Sequence, residues 1–433
     1  MNQVPIIDYE HHPAFAALRQ GVPQPDPAID RMVNEIDQRY GSIRGDAAST
    51  PEARQAAFSR ALTPKFQELA QIVAAEPGVR PALAAFATKA IGLASAYLHD
   101  ALLEKELTES ASADNAPPSG TVSLPLDGIR RDGYCRLPEA AELVRRVWKT
   151  TWWERSVLRD RARSEPRRHC VLALYEYSPA VNLIKRHLRE SGALDAASRY
   201  VGKPMQFLYA ALDHAHPAQD WYANCYQDAG LPTAQTAYMH FDADHDVMKA
   251  MLYLKAVGPG NGPFGYIRGS HLWQRSSVLC ALQRGFDQAQ ADLFDLEPDG
   301  LDFKLGYYRP RFKLPEYRKD LLALPRSLRG STHFGDDILD GSALSQSLLG
   351  LEERFCGPAG TFVLFDGSRG IHRGSLTTTG ERWAIQIGMR VRMTADAGPG
   401  AMRSLRGLLG YHRKRAMSLL SALRDRLPTD PQT

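Results

Sequence analysis

Cysteine is scarce in this sequence, with five residues in a chain of 433. They are widely spaced, and no two form the C-x-x-C pair that is typical of zinc ribbons and dithiol redox centres. An odd number of scattered cysteines fits a reducing compartment best, so we predict a cytoplasmic location. The five are Cys135, Cys170, Cys225, Cys280 and Cys356.

Long apolar runs and an export signal are also missing. No stretch reaches the roughly 18 consecutive apolar residues of a membrane-crossing helix. The first twelve residues, MNQVPIIDYEHH, have neither a basic region nor the apolar run of a secretory signal. The sequence therefore predicts neither export nor a membrane span.

An excess of charge of one sign is absent as well. The chain has 53 basic and 49 acidic residues, and its formal net charge is +4. The basic residues are dispersed among acidic ones, so nucleic acid is not an expected partner. The glycine-rich run 258–263 lacks the Lys-Ser/Thr that follows a phosphate-binding loop, and a hairpin turn is the better interpretation. We see no internal repeat.

What is present is enough apolar sequence for a sizeable core, since 44% of the residues are hydrophobic. A single core stops growing near roughly 250–300 residues, so one large domain with an appendage is expected. Residues 1–107 are predicted to be helical, because apolar residues recur at helical spacing. Thr63 is the predicted N-cap of one helix, with Pro64 at its first position. Two such faces are Ile29, Met32, Val33 and Ile36, and Phe66, Leu69, Ile72 and Val73.

The character of the sequence changes after the small, polar, proline-bearing segment 108–120, which is the predicted linker. Residues 121–400 carry short β-rich runs separated by Gly and Pro turns, a pattern that favours an all-β jelly roll or barrel over a parallel α/β sheet. Residues 272–350 interrupt this rhythm, and we interpret them as an insertion over the barrel mouth. Residues 401–433 contain a basic amphipathic helix, expected to pack on the barrel or on a neighbouring subunit.

A metal site is suggested by the run YMHFDADHD at 238–246. His240 and Asp242 are two residues apart and share one face of an extended segment. Such a pair is common by chance, and without a third ligand a solvated acidic turn is the favoured interpretation. That ligand is suggested at His372, where an apolar strand runs into a glycine-rich turn. Two imidazoles and one carboxylate leave coordination positions open, which suits Fe(II) oxygenase chemistry, with O2 and a bidentate cosubstrate, better than structural zinc.

The cosubstrate is suggested by Arg382, ten residues after His372 and at the start of a strand. Its planar guanidinium matches a carboxylate in a bidentate manner, so it is predicted to bind the distal end of a dicarboxylic acid such as 2-oxoglutarate. Ser375 is a second candidate for the same carboxylate, although serine is also an ordinary turn residue.

Other polar groups are weaker candidates for metal ligands or substrate-binding residues. Asp244 and His245 are expected in the turn after the H-x-D pair and not among the ligands. The run 213–216 (DHAH) offers an alternative H-x-H pair, but no carboxylate-and-arginine pattern follows it nearby, so a loop or supporting role is favoured. His271 is expected only to fix a turn. The aromatic and basic run 307–313 suits either an anionic or aromatic substrate or a solvated surface. Tyr222, Asn224 and Tyr226 alternate on a candidate strand, and either line or fill the barrel.

These elements together resemble the phytanoyl-CoA dioxygenase family of Fe(II)/2-oxoglutarate enzymes. The segment NGPFGYIRGSH at 261–271 is similar to the family's NGPL…PGSH hairpin, with Arg268 in place of the usual proline. The segment LDGIRRDGYCRLP at 126–138 is similar to its opening F..DGY..LP element. The resemblance spans about residues 126–391, with the motifs in the family's order.

The resemblance implies a double-stranded β-helix, or cupin-like jelly roll, with flanking helices. It also implies that decarboxylation of 2-oxoglutarate to succinate and CO2 is coupled to oxidation of a C–H bond in a small-molecule metabolite or natural-product intermediate. Hydroxylation is the expected outcome, while desaturation, cyclisation and epoxidation stay open. Related halogenases replace the carboxylate ligand by a small residue, so Asp242 argues against halogenation. The alternative is a catalytically silent jelly roll that binds a ligand in the same pocket. The oligomeric state is not readable from the sequence.

Overall fold

The computed structural model describes residues 21–46, 48–103, 126–164, 170–217, 239–242, 247–273, 277–290, 319, 322–329 and 343–392. The predicted linker at 108–120 and the predicted C-terminal helix at 401–433 lie outside these residues.

The described helices precede, interrupt and flank a β-rich region. They are α1 (Pro27–Arg44), α2 (Pro51–Ala61), α3 (Thr63–Ala75), α4 (Pro81–Ala101), α5 (Leu126–Asp132), α6 (Ala141–Thr150), α7 (Trp152–Ser164), α8 (Pro179–Glu190), α9 (Ala193–Val201), α10 (Val278–Gln290) and α11 (Ala343–Leu351), with short 3-10 turns at Ser270–Leu272 and Arg326–Leu328.

The described strands form two antiparallel sheets, with the orders β1-β7-β4-β9-β3-β2 and β6-β5-β8. The strands are β1 (Tyr134–Leu137), β2 (Cys170–Ala173), β3 (Met205–Ala215), β4 (Val247–Tyr253), β5 (Phe264–Ile267), β6 (Glu352–Phe355), β7 (Phe362–Phe365), β8 (His372–Gly374) and β9 (Arg382–Val391). An antiparallel β core with helices is therefore present, as the short β-rich runs predict.

The N-terminal helices form where the apolar spacing predicts them. In α1, Pro27 occupies the first turn and the Asp26 carboxylate accepts a hydrogen bond from the Ala28 amide at 2.8 Å, a standard way to begin a helix. Ile29, Val33 and Ile36 are buried on one face. The first helix thus confirms the sequence pattern.

The predicted cap of α3 is wrong. Thr63 is the first residue of the helix, and Leu62 occupies the cap position without a side-chain hydrogen bond. Leu62 has φ −110° and ψ −35°, so the chain between α2 and α3 stays in the helical region of backbone space. An N-cap side chain reaches back to the helix from an extended backbone, and this short connection provides none.

The first helix of the interrupting segment, α10, packs on the N-terminal helices. Val278, Leu282 and Phe286 belong to the same buried cluster as residues of α1 to α4. Phe286 meets Phe86 of α4 edge to face, with ring centroids 4.7 Å apart. At Gly285 a Cβ would lie 2.2 Å from the Ala90 carbonyl oxygen, so the two helices approach closely there. Residues from two distant parts of the sequence therefore share one helical core.

In the described part of the chain, α4 is the one helix that is long and apolar enough to cross a membrane. Of its most apolar 18-residue stretch, 39% is buried inside the protein. One such helix is weak evidence for a span, since core helices pass the same test.

Two further cores flank the larger sheet. On one face its strands pack with α6, α8 and α9, through residues such as Val147, Ile184 and Tyr200. The other face joins the smaller sheet in a mostly aromatic cluster that includes Tyr253, Phe365 and, from the smaller sheet, Phe264, Tyr266 and Phe355. The predicted metal ligands and Arg382 lie beside this second cluster.

Candidate metal and cosubstrate site

The structure brings the three predicted metal ligands together. His240 pairs with His372 across an antiparallel bridge, in which each backbone amide donates to the other residue's carbonyl at 2.9 Å. Asp242 follows two residues later, and its amide donates to the Gly367 carbonyl at 2.9 Å. Backbone pairing thus holds the segment 240–242 against β8 and the turn before it.

The ligand atoms point at a common position. Nε2 of His240 lies 3.8 Å from Oδ1 of Asp242, and Nε2 of His372 lies 3.6 Å from Oδ2. One ligand atom from each of the three residues lies within 4.8 Å of the others, which is close enough for one metal ion. Among the described residues, these three form the group of His, Cys, Asp and Glu side chains whose ligand atoms lie close enough together to hold a metal ion.

Space for the carboxylate depends on a glycine. A Cβ at Gly367 would lie 2.3 Å from Oδ2 of Asp242, so a larger residue there displaces the ligand. Among the described residues, Oδ2 is buried and has no hydrogen-bond partner. A buried anionic oxygen without a donor is costly, and a cation held with the two imidazoles would compensate it. The residues therefore fit a divalent metal.

The His372 ring is oriented by the chain around it. Its Nδ1 lies 3.0 Å from the Gly370 carbonyl oxygen, which can only accept a hydrogen bond. Nδ1 therefore carries the proton, and the lone pair of Nε2 faces the site. Burial lowers the pKa of His372, although the Asp242 carboxylate opposes the shift. A neutral imidazole is the form that binds a metal.

A lysine that the sequence analysis missed lies at the same carboxylate. The Lys249 ammonium, on β4, is 2.7 Å from Oδ1 of Asp242. Burial raises the pKa of Asp242, but Lys249 and then the two imidazoles outweigh burial and hold that pKa well below its usual range. The carboxylate is thus ionised and ready to bind a cation.

Arg382 is buried at the start of β9, as a carboxylate-binding arginine should be. Its guanidinium donates to Oδ2 of Asp213 at 2.9 Å and to the Gly262 carbonyl oxygen. The side chains of Arg382 and Asp213 are 5% and 1% exposed. Asp213 therefore compensates the arginine's charge, while Nε has no partner among the described residues.

Ser375 lies beside the arginine. Its amide donates to the Pro263 carbonyl at 3.2 Å, next to the Gly262 carbonyl that Arg382 contacts. Its hydroxyl is buried and, within the described part of the chain, has no hydrogen-bond partner. A Cβ at the preceding Gly374 would lie 3.0 Å from a guanidinium nitrogen of Arg382. The buried Ser375 hydroxyl and the edge of the Arg382 guanidinium are both donors that a bound carboxylate could accept hydrogen bonds from.

The helical core touches the metal ligands through Arg284 of α10. This side chain donates to the Asp242 carbonyl at 3.2 Å and to the Ser368 carbonyl at 3.4 Å. Its guanidinium also lies 5.1 Å from the ring centroid of Tyr97 in α4. The N-terminal helices are therefore connected to the backbone of the candidate site.

The other candidates take different places. His214 lies at the end of β3, and neither it nor His216, just past that strand, joins the ligand cluster. His214 stacks on Trp383 and contacts Glu381 at 3.1 Å. His271 donates to the Arg130 carbonyl at 2.8 Å, which fits a role in fixing the turn. The predictions for 222–226, 244–245 and 307–313 fall outside the described residues.

Sequence reasoning missed Lys249, and it considered Asp213 only within the run 213–216, in a loop or supporting role, without its partner Arg382. Each is a lone charged residue within an apolar strand, in the runs VMKAMLY and MQFLYAALDHA. A charged side chain at such a position must be paired if it points inward, and that signal was available. The partner of each depends on strand register, which the sequence did not supply.

Comparisons with known proteins give structural likeness alone. No family model matches the sequence, and no curated protein matches it. Among solved structures, the chain is similar to AviO1 from Streptomyces viridochromogenes Tue57, with 15% identity, 63% of this chain and 96% of that chain covered, and a TM-score of 0.32.

Two further structures were solved with ligands. The epimerase SnoN in complex with Fe3+, alpha ketoglutarate and nogalamycin RO has 16% identity, coverage of 64% and 89%, and a TM-score of 0.33. EctD from S. alaskensis with 2-oxoglutarate and 5-hydroxyectoine has 14% identity, coverage of 64% and 79%, and a TM-score of 0.33. All three TM-scores lie below 0.5, so the assignment of chemistry rests on the residues of the site.

Proposed function

We propose that this protein is a non-haem Fe(II)- and 2-oxoglutarate-dependent dioxygenase that acts on a small organic molecule. The observation that carries the proposal is the convergence of His240, Asp242 and His372, with a buried carboxylate oxygen that lacks a partner among the described residues. Two imidazoles and one carboxylate form the donor set of Fe(II) oxygenases, and this set leaves coordination positions open.

Each residue has a separate task in this proposal. His240, Asp242 and His372 hold the metal, with the Gly370 carbonyl fixing the tautomer of His372. Arg382 binds the distal carboxylate of 2-oxoglutarate, and the Ser375 hydroxyl donates to the same group. When bound, iron and 2-oxoglutarate supply the activation of O2, with release of succinate and CO2.

The chain around the site supports this chemistry by exclusion of water. Phe264 and Phe365 pack against the His372 ring, with centroids 6.1 and 5.2 Å from it. These apolar rings exclude water on this side of the site, which keeps the electrostatic interactions between the metal-binding residues and the cosubstrate strong. The outcome that we propose is oxidation of a C–H bond by hydroxylation, or by desaturation or cyclisation, and not halogenation, because the carboxylate ligand is retained at Asp242.

The wider organisation belongs to the same proposal. Residues 121–400 would form a double-stranded β-helix, with residues 272–350 as an insertion and residues 1–107 and 401–433 as flanking helical regions. The antiparallel pairing of both sheets supports it. We further propose a cytoplasmic enzyme, in agreement with the free cysteines found at four of the five positions.

Succinate release tests the proposal. Wild-type protein incubated with Fe(II), ascorbate and 2-oxoglutarate should form succinate even without the true substrate, by uncoupled turnover. Asp242→Ala or His372→Ala should lower this rate by more than about 100-fold, because each removes a metal ligand. His216→Ala removes a histidine outside the cluster and should change the rate by less than about threefold.

Two results would contradict the proposal. One is the absence of succinate from the iron-loaded wild-type protein, which would favour a silent ligand-binding protein. The other is an undiminished rate in the Asp242 and His372 variants once bound iron has been measured and found lost.

A further inference from the structure

A half-buried lysine lies against the carboxylate that we assign to the metal. The Lys249 ammonium contacts Oδ1 of Asp242 at 2.7 Å, and the two side chains are 16% and 12% exposed. The other oxygen, Oδ2, faces His372 at 3.6 Å and has no hydrogen-bond partner in the described residues. The ammonium thus donates to Oδ1, which also faces Nε2 of His240 at 3.8 Å, and leaves Oδ2 without a donor among the residues described.

The strands around Lys249 are shaped for this contact. Lys249 on β4 pairs with Gly388 on β9 and with Phe365 on β7. At Gly388 a Cβ would lie 2.3 Å from the ring of Tyr209, so this ring packs directly over the glycine. The side chains of Tyr209 and Lys249 are hydrogen-bonded to each other. At Gly367 a Cβ would lie 3.2 Å from Cδ of Lys249. Two glycines thus make room for the lysine and its partners.

The charges of the four groups nearest the ligands are balanced before any ligand binds. Lys249 with Asp242 and Arg382 with Asp213 are each a pair of opposite charges. Arg284 adds a positive charge behind the backbone of Asp242, at the carbonyl oxygen. A divalent metal adds two positive charges, and the 2-oxoglutarate dianion adds two negative ones. Loss of Lys249 would remove the positive charge that contacts the Asp242 carboxylate directly, in a mostly buried place where charge interactions are strong.

We propose that Lys249 is a positioning residue of the metal centre that restricts Asp242 to one metal-binding oxygen and supplies the charge needed for a dianionic cosubstrate. This inference rests on the proposed function. It assigns the lysine a favourable role in the affinity for 2-oxoglutarate and no favourable role in the affinity for the metal. Loss of the ammonium would free Oδ1 and remove a positive charge near the bound carboxylates.

The test measures binding and not turnover. Mn(II)-loaded protein is titrated with 2-oxoglutarate by calorimetry, and metal-free protein is titrated with Mn(II). In Lys249→Met the Kd for 2-oxoglutarate should rise by at least about tenfold, because a charge interaction across several ångströms of partly buried space is lost. The Kd for Mn(II) should stay the same or fall, because a repulsive charge is gone.

Three further variants separate the causes. Lys249→Arg keeps the charge and should stay within about threefold of the wild-type Kd for 2-oxoglutarate. Lys249→Gln keeps a hydrogen-bond donor without charge and should behave like Lys249→Met. Lys185→Met is the matched control: this lysine also pairs with a carboxylate, that of Glu176, outside the site, and its loss should leave both constants unchanged.

Several outcomes would overturn the inference: an unchanged Kd for 2-oxoglutarate in Lys249→Met, a loss of Mn(II) affinity that matches the loss of 2-oxoglutarate affinity, or Lys249→Arg as weak as Lys249→Met. Failure of both neutral variants to fold would make Lys249 a structural residue and overturn it as well. If wild-type protein binds Mn(II) but no 2-oxoglutarate, the proposed function itself fails, and this inference with it.

Discussion

Glu381 is a carboxylate held by a lysine and a histidine just before β9, an interior strand of the larger sheet. It pairs with Lys255, and its other oxygen lies 3.1 Å from Nε2 of His214. Burial raises the pKa of Glu381, but the hydrogen bonds, with that from Lys255 foremost, outweigh burial and lower the pKa to about 2. Glu381 immediately precedes Arg382, so this cluster fixes the start of β9.

The lowered pKa of Glu381 predicts that this carboxylate makes a pH-dependent contribution to the stability of the folded protein. Since the folded pKa is below the ordinary value of 4.5, the contribution is complete above about pH 4.5 and disappears as pH falls through about 2. The side chain is 34% exposed, so solvent screening reduces the contribution to about 1 kcal/mol. Glu381→Gln should lower the free energy of unfolding by that amount at pH 7 and by much less near pH 2.5, as measured by urea denaturation. An equal loss at both pH values would contradict the ionic explanation.

The residue types at the site were readable before the structure, because metal ligands and carboxylate-binding residues are chemically distinctive. His240 and Asp242 could be paired from their spacing, and His372 and Arg382 from the order of the motifs. Lys249 and Asp213 could not be placed, since a lone charge in a strand has no partner until the register is known. In the structure, the pairing of β3 and β4 with β9 sets the positions from which they reach Arg382 and Asp242.

At the scale of elements, the close contact between α10 and α4 depends on a glycine. A methyl group at Gly285 would lie 2.2 Å from the backbone oxygen of Ala90, a distance that backbone movement alone can relieve. At Gly92, on the same helix as Ala90, an added Cβ would have no atom within 4 Å among the described residues. The two glycines are both helical but have opposite surroundings.

Alanine at these two positions should therefore have opposite effects. Gly285→Ala should destabilise the protein by about 1–3 kcal/mol, because it overpacks a helix contact. Gly92→Ala should stabilise it by about 0.5–1 kcal/mol, because alanine is the better helix former and meets open space. Thermal and urea unfolding of both variants measure this. Equal effects of the two substitutions would show that the helices are not in close contact at Gly285.

The ends of elements were harder to predict than their existence. The apolar face of α1 follows from its sequence, but the start of α3 at Thr63 depends on how tightly α2 and α3 are joined. Threonine caps a helix only where its own backbone is extended, and Thr63 is already helical. The geometry of that short connection is a property of two packed helices, which one helix's sequence does not contain.

At the scale of the whole molecule, the candidate metal joins parts of the chain that are far apart in sequence. Its ligands come from 240–242 and from β8, and α10 contacts the first of these segments through Arg284. A ligand that binds only the folded state stabilises it in proportion to the logarithm of its concentration over its dissociation constant. Metal binding should thus be visible in global unfolding.

Mn(II) at about 100 times its Kd should stabilise the protein by about 2.7 kcal/mol, which corresponds to a rise in Tm of a few degrees. Excess EDTA should reverse the rise. The double variant Asp242→Ala/His372→Ala, measured in parallel by differential scanning fluorimetry, should show no change with either reagent. A shift of the same size in the double variant would place the bound metal elsewhere.

The sequence by itself determined the helical N-terminal region, the β-rich remainder and the residue types of the candidate centre. These follow from apolar periodicity and from side-chain chemistry, both of which are local. Only the tertiary structure decided that α10 shares a core with the N-terminal helices, that Asp213 pairs with Arg382, and that Lys249 reaches Asp242. Each of these contacts joins residues distant in sequence or on different elements, and their distances depend on strand register and helix packing, which no local pattern encodes.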